Sequence, residues 1–392
     1  MSAPAHAATF QRLSWSDTML GMPTGAPVRT PVTRRSGARG VLEEVLRAAL
    51  EGPRPCYVLF SGGRDSSAIL ATAVHVARRD ALPEPVPVTV RHPESPESDE
   101  TAWQELVLRH LRVERHEVLH MHGEQSLLGD VALDAIRRRG PMWPAAVQVQ
   151  GALYRHLDPG VVVSGEGGDM VINGHRAAAV RAMLEGPTRA SLRDGLYAVR
   201  PTWWSRRAMT AALVQDNRAV PAWLRGHGRQ LYTDAVVAMS TVPLRWDSAT
   251  RLMGRTRPVT IGLANFEAAI IEYSCVPVSP FLVPEFVDAL AHDAGPTGWG
   301  DRTAVFRRLV GDLLPDAVLS RTSKASFNST RWGAAEREFA QSWDGVGFDD
   351  TWIDPEALRR EWLSERPHPA SSYLLQVAWA MNQGLPVAGG PR

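Results

Sequence analysis

The chain has 392 residues, of which 44% are hydrophobic and 22% charged, and its formal net charge is +1. This composition is typical of a globular protein with one large or two smaller domains and excludes an extended disordered or fibrous chain. The near-zero charge gives no reason to expect binding to nucleic acid or to a membrane. The two cysteines can form neither a disulfide framework nor a zinc cluster, so we expect a cytoplasmic protein.

The first elements lead to a glycine-rich turn. Residues 1–38 are rich in Ala, Pro, Ser, Thr and Arg without clear periodicity, and they predict a tail or an arm across the surface. Residues 40–50 predict a helix. The apolar stretch 57–60 predicts a buried strand that enters the turn 61–63, and residues 68–79 predict the helix that follows.

The next elements alternate between strands and helices. Strands are predicted at 86–90, 114–120 and 161–163, and helices at 99–112, 129–138 and 147–156. This alternation predicts an α/β fold with a doubly wound parallel sheet. We assign this core to residues 39–180. Strand patterns fade afterwards, so residues 181–392 are predicted to form a mostly helical C-terminal lobe.

The turn after the first strand has the features of an anion-binding loop. It reads Ser61-Gly62-Gly63-Arg64-Asp65-Ser66-Ser67. Glycines allow a ligand to approach the backbone closely, and the free N–H groups at the start of a helix bind anions. Because Asp65 would repel an anion, we predict that Mg²⁺ bridges its carboxylate and a phosphate.

The same string resembles the pyrophosphate-binding loop of the ATP pyrophosphatase (PP-loop) superfamily. Those enzymes cleave ATP between the α- and β-phosphates and leave an adenylated substrate. The kinase-type loop G-x-x-x-x-G-K-[ST] does not occur in the sequence, which argues against γ-phosphoryl transfer.

A second glycine-rich loop, Ser164-Gly165-Glu166-Gly167-Gly168-Asp169, follows the strand 161–163. Ligands bind at the carboxyl ends of the strands in a doubly wound sheet, so both loops can face one crevice. Asp65 and Asp169 would repel each other there unless a cation joined them. The alternative is that Asp169 only caps a helix, and we consider this interpretation the weaker one.

The second loop resembles the S-G-E-G-[AS]-D loop in the synthetase domain of asparagine synthetases. That resemblance implies an adenine nucleotide alpha-hydrolase-like fold, in which Asp65 and Asp169 coordinate Mg²⁺-pyrophosphate. Met170 stands where the family usually has Glu. The resemblance also implies four nucleotide contacts: Leu59 and Val90 beside the nucleoside, and Ser164 and Gly165 at the adenylate.

Glu166 has two interpretations. Phosphate-rich surroundings and burial would raise its pKa, which suits a group that accepts a proton or orients a substrate. Asparagine synthetases also have a carboxylate here, whereas the related β-lactam synthetases have a Tyr. The alternative is a structural Glu that accepts local N–H groups, and the sequence leaves both open.

Arg321-Thr322-Ser323-Lys324-Ala325-Ser326-Phe327 resembles the R-x-K-x-x-F segment of the asparagine synthetase family, with one residue added between Arg and Lys. That spacing is closer to lasso-peptide macrolactam synthetases. The resemblance implies that Lys324 stabilises charge that develops on the α-phosphate and the tetrahedral intermediate. A surface lysine is the alternative, but Lys324 is the only lysine in a chain with 43 basic residues.

Two departures limit the resemblance. Pro280-Phe281-Leu282 resembles the P-F-L-D segment of the family, but Val283 replaces the Asp, which weakens any inference about an aspartate-like substrate. The sequence begins Met1-Ser2, without the N-terminal Cys of a glutaminase. We therefore expect a stand-alone synthetase domain over residues 40–335 that does not hydrolyse glutamine.

Together these features predict an ATP- and Mg²⁺-dependent amide-forming ligase. It would adenylate a small-molecule or peptide carboxylate, then join it to an amine or ammonia, with ring closure and specialised biosynthesis as options. Another PP-loop enzyme, such as a tRNA thiolase or an NAD or GMP synthetase, is one alternative. The other is a catalytically silent binding subunit, which Met170 and Val283 keep open.

Overall fold

A parallel five-stranded sheet lies at the centre of the computed structural model, which describes residues 9–29, 31–32, 37–186, 188–215, 220–323 and 330–387. The strand order is β3-β2-β1-β4-β5, and each neighbouring pair is parallel. The strands are β1 (Cys56–Leu59), β2 (Val86–Arg91), β3 (Glu117–His120), β4 (Val161–Val163) and β5 (Val276–Val278). The predicted α/β fold with a doubly wound parallel sheet is confirmed.

Helices follow the strands and make up most of the C-terminal half of the described chain. The α-helices are α1 (Trp15–Leu20), α2 (Ala38–Glu51), α3 (Arg64–Arg79), α4 (Thr101–Leu111), α5 (Asp130–Arg139), α6 (Gly151–Tyr154), α7 (Gly168–Val171), α8 (His175–Glu185), α9 (Arg189–Ala198), α10 (Thr202–Gln215), α11 (Gly226–Ser240), α12 (Trp246–Met253), α13 (Arg257–Ile271), α14 (Pro284–Ala294), α15 (Arg302–Val310), α16 (Asp316–Leu319), α17 (Ala334–Ser342), α18 (Pro355–Trp362) and α19 (Pro369–Asn382). Short 3₁₀ helices lie at Pro96–Ser98, Ala145–Val149 and Pro280–Leu282. The helix expected over residues 147–156 is a 3₁₀ turn followed by the single turn α6.

The central strands are buried on both faces, which suits their apolar sequences. The three valines of β4 are all buried, as are Cys56, Tyr57 and Val58 of β1. At one edge, β5 contains Pro277, which cannot donate a hydrogen bond to a ladder and is tolerated there. The sequence did not predict β5, since three residues that include a proline give almost no strand pattern.

A second hydrophobic core forms away from the sheet, among the C-terminal helices. It contains Trp223 and Trp362, both fully buried, and it also takes in Met19 and Leu20 of α1. The N-terminal segment that the sequence predicts to be a tail or surface arm thus contains a buried helix. The division of the chain at residues 38 and 180 stays a prediction. Within the described residues, no helix is both long enough and apolar enough to cross a bilayer.

Candidate active site

The two glycine-rich loops meet at the middle of the sheet. Strands β1 and β4 are parallel neighbours, and the chain leaves β1 towards β2 and β4 towards β5 on the other side. This is a topological switch point, where diverging connections leave a crevice at the carboxyl ends of the strands. The loop before α3 and the loop before α7 form the walls of that crevice.

The first loop leaves the start of α3 available to a ligand. Gly62 has a φ of 81°, and a Cβ there would lie 3.0 Å from Gln104 Cγ. The Ser61 N–H donates to Ser66 Oγ (3.2 Å), which donates to the carbonyl of Gly63 (3.2 Å). These serines therefore bond within the loop. No described side chain caps α3 at Gly63, and residues of its first turn line the crevice, so their N–H groups are candidate anion donors.

The second loop touches the first because glycines leave room for it. A Cβ on Gly165 would lie 3.1 Å from the Ser66 nitrogen, and a Cβ on Gly168 would overlap the carboxylate of Asp65. Ser164 is buried, with its Oγ 3.2 Å from Ser279 Oγ. Larger residues at positions 165 and 168 would force the loops apart. The sequence pattern thus places Asp65 directly against the start of α7.

Asp65 lies between opposing charges in the site. Burial raises its pKa, and the negative charge of Asp169 acts in the same direction, whereas the guanidinium of Arg302 opposes both. Arg302 Nη2 donates to both carboxylate oxygens, at 2.5 Å from Oδ1. Asp169 is exposed to the crevice. The two carboxylates predicted to share a metal are therefore close enough to repel each other.

Three arginines surround the first loop. Arg64 donates to Thr303 Oγ1 (3.3 Å), and its pKa is lowered first by burial and then by the charges of Arg302 and Arg321. Cations that repel one another around free backbone N–H groups indicate a site for a polyanion. The sequence did not identify Arg302 because its contact with Asp65 spans 237 residues.

Most of the predicted site residues line one cavity of about 490 Å³. Those residues are Leu59, Ser61, Gly63, Asp65, Ser66, Val90, Ser164, Gly165, Glu166 and Asp169. Leu59, Val88 and Val90 form an apolar part at the ends of β1 and β2, which suits a nucleoside base. Gly62 and Ser67 are buried within the first loop.

Glu166 lies at the mouth of the cavity. The sequence led us to expect a buried side chain, but Glu166 is exposed. Its charge acts on Arg331 and on Tyr154 across the cavity. Glu166 can therefore reach a substrate in the cavity.

The segment that leads to Lys324 is tied to the first loop. Arg321 is buried, donates to the carbonyl of Gly62 (3.1 Å) and to Glu100 Oε1 (2.5 Å), and lies 4.6 Å from the ring centroid of Trp103. Thr322 and Ser323 line the cavity. Lys324 itself lies outside the described residues. The sequence offered no signal for Glu100, which is 221 residues from Arg321.

The P-F-L segment supports the second loop from behind. Phe281 is fully buried, and the side chain of Leu282 fills the space beside Gly167. Val283 packs against the core of the sheet, where an Asp would need a polar partner. The substitution at position 283 therefore matches its apolar surroundings.

The residues present fit a magnesium ion that arrives with a polyphosphate. Asp65 and Asp169 supply carboxylate oxygens, the ligands that Mg²⁺ prefers, and it commonly takes its remaining ligands from phosphates and water. The described residues contain no cluster of three or more metal-binding side chains, so they hold no all-protein metal cage.

Comparison with known proteins gives the family. The model of the asparagine synthase family matches residues 37–382, which is most of the chain and includes both glycine-rich loops. No curated protein matches the sequence. Members of this family are ATP-dependent amide-forming ligases, and the crevice between β1 and β4 is where such a fold binds its nucleotide. The chain belongs to the asparagine synthase family.

Proposed function

We propose that this ligase adenylates a substrate carboxylate and transfers the acyl group to an amine. The observation that carries the proposal is the contact between the two loops, which places Asp65 against Gly168 beside the open start of α3. The N–H groups of α3 would bind the β- and γ-phosphates, and Leu59 and Val90 would hold the nucleoside.

In the first step, a carboxylate oxygen attacks the α-phosphorus, and the bond between that phosphorus and the bridging oxygen breaks. Pyrophosphate leaves and the acyl-adenylate remains. Asp65 and Asp169 would hold Mg²⁺, which neutralises phosphate charge when bound. Lys324 would stabilise the charge that develops on the α-phosphate.

In the second step, the amine nitrogen attacks the acyl carbon, the bond from that carbon to the phosphate oxygen breaks, and AMP leaves. Glu166, exposed at the mouth of the cavity, would accept the proton that the amine loses. The amine is ammonia, a separate molecule or a group of the same substrate. In the last case the product is a ring, as in the biosynthesis of specialised metabolites.

The nitrogen would not come from glutamine hydrolysis by either cysteine of this chain. Burial raises the pKa of Cys56 to about 12 and also raises that of Cys275. A thiol with such a pKa supplies almost no thiolate nucleophile near neutral pH. Two buried free thiols also suit the cytoplasmic location that we propose.

Pyrophosphate release tests the proposal. The full chain with ATP and Mg²⁺ should release pyrophosphate and AMP only when a pool containing its acid is added. Asp65→Asn should lower that rate by at least about 100-fold, because it weakens the binding of the Mg²⁺ that would neutralise phosphate charge. Asp349→Asn, an exposed carboxylate outside the cavity, should leave the rate unchanged. Formation of ADP, or release of pyrophosphate at the same rate with and without the acid, would contradict the mechanism.

A further inference from the structure

Helix α9 turns its apolar stripe towards solvent. Leu192, Leu196 and Val199 follow one another at intervals of four and three residues, which places them on one side of the helix, and all three are exposed. The residues that α9 buries are Gly195 and Ala198, which are both small. In the described part of the chain, nothing covers this apolar side of the helix.

Two tryptophans at the start of α10 extend the stripe. Trp203 is 62% exposed and Trp204 is 52% exposed, and their rings stack with centroids 6.1 Å apart. The guanidinium of Arg200 lies 5.1 Å from the ring centroid of Tyr197 and 5.6 Å from that of Trp204, so it joins the end of α9 to α10. We call the exposed apolar side chains of this region the α9–α10 surface: Leu192, Leu196, Tyr197, Val199, Trp203 and Trp204. A contiguous apolar patch of this kind marks an interaction site.

The α9–α10 surface rests on a fixed support. Arg176 of α8 donates through Nη2 to the carbonyls of Ala198 and Arg200, at 2.7 Å from the latter. A Cβ on Gly195 would lie 2.6 Å from Met183 Cβ, so the glycine lets α9 pack closely against α8. The exposed side chains therefore belong to a preformed part of the fold.

Arginines outnumber carboxylates around the α9–α10 surface. Among the described side chains of residues 175–211, six arginines are exposed, whereas only two carboxylates are. Both carboxylates are already paired: Arg181 Nε lies 2.7 Å from Glu185 Oε1, and Arg193 Nε lies 2.9 Å from Asp194 Oδ1. The other four exposed arginines, which have no carboxylate partner among the described residues, are Arg189, Arg200, Arg206 and Arg207.

These free charges lie at both ends of the apolar stripe. Arg189 precedes Leu192 by one helical turn, and Arg206 and Arg207 follow Trp203 by one turn, so each lies beside the stripe. The whole chain has a net charge of only +1, which is why its composition gave no indication of this local excess. The α9–α10 surface is therefore apolar in the middle and positively charged at its ends.

Charge and size decide what such a surface binds. A second copy of this chain in a two-fold dimer would bring like-charged arginines together, which is unfavourable. A standard protein interface uses about 20–30 residues on each side, many more than the six apolar side chains of this surface. Insertion into a lipid surface needs only a few apolar side chains, with cations that bind anionic headgroups. Tryptophan and tyrosine are typical of that boundary.

We propose that the α9–α10 surface binds reversibly to an anionic lipid bilayer. The leucines and tryptophans insert between the lipids, and the arginines at both ends bind the headgroup phosphates. None of these residues lines the cavity between the two glycine-rich loops. The inference therefore goes beyond the proposed function and does not depend on it.

Co-sedimentation of the full chain with lipid vesicles tests the proposal. The vesicles consist of phosphatidylcholine alone, or of phosphatidylcholine and phosphatidylglycerol in equal parts. The variants are Trp203→Ala/Trp204→Ala and Arg206→Gln/Arg207→Gln. The matched controls are Val346→Ala, which changes a side chain that is 70% exposed, and Arg337→Gln/Arg366→Gln, which changes two exposed arginines outside the surface. Melting temperatures confirm that each variant is folded.

The wild-type chain and both controls should bind to the mixed vesicles equally and should bind far more weakly to phosphatidylcholine alone. Arg206→Gln/Arg207→Gln should weaken binding to the mixed vesicles about 10- to 30-fold, because each arginine near an anionic lipid surface contributes a factor of about five. Trp203→Ala/Trp204→Ala should weaken it by at least about 10-fold, because the inserted apolar area is lost. Added salt should weaken the binding of the wild type.

Three results of the sedimentation would overturn the proposal. They are no binding to the mixed vesicles, equal binding of the wild type to both kinds of vesicle, and equal binding by the wild type and the two variants. Acid-dependent release of pyrophosphate in solution should be the same in the wild type and in both variants. Failure of vesicle binding and failure of the proposed function can therefore be distinguished.

Two further measurements without vesicles would assign the surface to another occupant. If the wild-type chain were a dimer and Trp203→Ala/Trp204→Ala a monomer, the surface would join copies of this chain and the proposal would be wrong. Binding to soluble poly-L-glutamate that the same variant weakens, together with no binding to vesicles, would assign the surface to an acidic protein instead.

Discussion

Lys324 is the residue whose role rests most on sequence. It is the only lysine in the chain, and the residues just before it, Thr322 and Ser323, line the cavity. An ammonium on a flexible stem can follow negative charge from the α-phosphate to the tetrahedral intermediate. Its uniqueness in the sequence and the cavity-lining residues that precede it in the chain support the role proposed for it.

Lys324→Ala should lower turnover by at least about 100-fold while nucleotide binding changes little, because the interaction strengthens in the transition state. Lys324→Arg should rescue only part of the rate, since a bulky planar cation cannot follow the charge in the same way. Single-turnover release of pyrophosphate and titration of an ATP analogue measure the two effects. A silent binding subunit would show no change in either experiment, and that result would contradict the enzyme assignment.

Some single residues could be predicted from sequence and others could not. Asp65 and Asp169 each follow an apolar stretch and a glycine turn, so local pattern and parallel-sheet topology together bring them to one crevice. Arg302 and Glu100 carry no such pattern. Each acts through a partner more than 200 residues away, and one arginine or glutamate among many gives no local signal of that contact.

At the scale of elements, the sequence predicted long or strongly patterned segments best. Strand β4 begins and ends where the run of three valines predicted, and α3 extends the expected helix by one turn towards the first loop. Strand β5 was missed because Pro277 interrupts its three residues, and helix α1 was missed because six residues are too short for a helical period to be read. Their placement depends on tertiary packing, which a local pattern does not contain.

The junction between α8 and α12 should respond to acid. His175, the first residue of α8, lies beside the ring of Trp246 and has its Nε2 3.2 Å from Thr250 Oγ1. Burial lowers the pKa of His175 to about 4, below the ordinary value near 6.5. Between these values the unfolded chain binds a proton that the folded chain does not, so stability falls as the pH falls from about 6.5 to 4.

His175→Asn should therefore reduce the loss of unfolding free energy between pH 7.5 and pH 4 by up to about 3 kcal/mol, the equivalent of the pKa difference. Asn is a suitable replacement because it tolerates the positive φ of 47° at this position. Urea titrations at the two pH values measure the effect. His110→Asn, which changes an exposed histidine on α4, is the control. Equal pH dependence in wild type and His175→Asn would contradict the prediction.

At the scale of the whole molecule, one buried carboxylate joins two parts of the chain. Glu336 on α17 is fully buried and accepts from Ser126 Oγ (2.5 Å), from the Leu128 N–H (2.9 Å) and from the Gly333 N–H (2.6 Å). It thus ties the segment that carries Arg331 to the connection between β3 and α5. The second core and the cavity wall depend on the same contact.

Glu336→Ala should lower the free energy of unfolding by about 2–4 kcal/mol, because it leaves buried donors without an acceptor. Glu336→Gln should cost less, since the amide oxygen can still accept one or two of these hydrogen bonds. Urea unfolding measures both variants. Glu338→Ala, an exposed position on the same helix, should change stability by no more than about 0.5 kcal/mol. If Glu336→Ala were as stable as Glu338→Ala, the proposal that Glu336 joins the two segments would be contradicted.

The hydrogen bonds from Arg302 to Asp65 also affect how the protein binds its nucleotide. Both oxygens of that carboxylate already face a guanidinium, so occupancy of the crevice is an exchange of partners rather than simple addition to a vacant pocket. A polyphosphate can offer Arg302 a replacement anion, whereas a bare divalent cation cannot. The apparent affinity for nucleotide therefore reflects the free energy of the pair between Arg302 and the polyphosphate minus that of the pair between Arg302 and Asp65. Because salt screens both pairs, ionic strength should change this affinity less than the number of charges suggests.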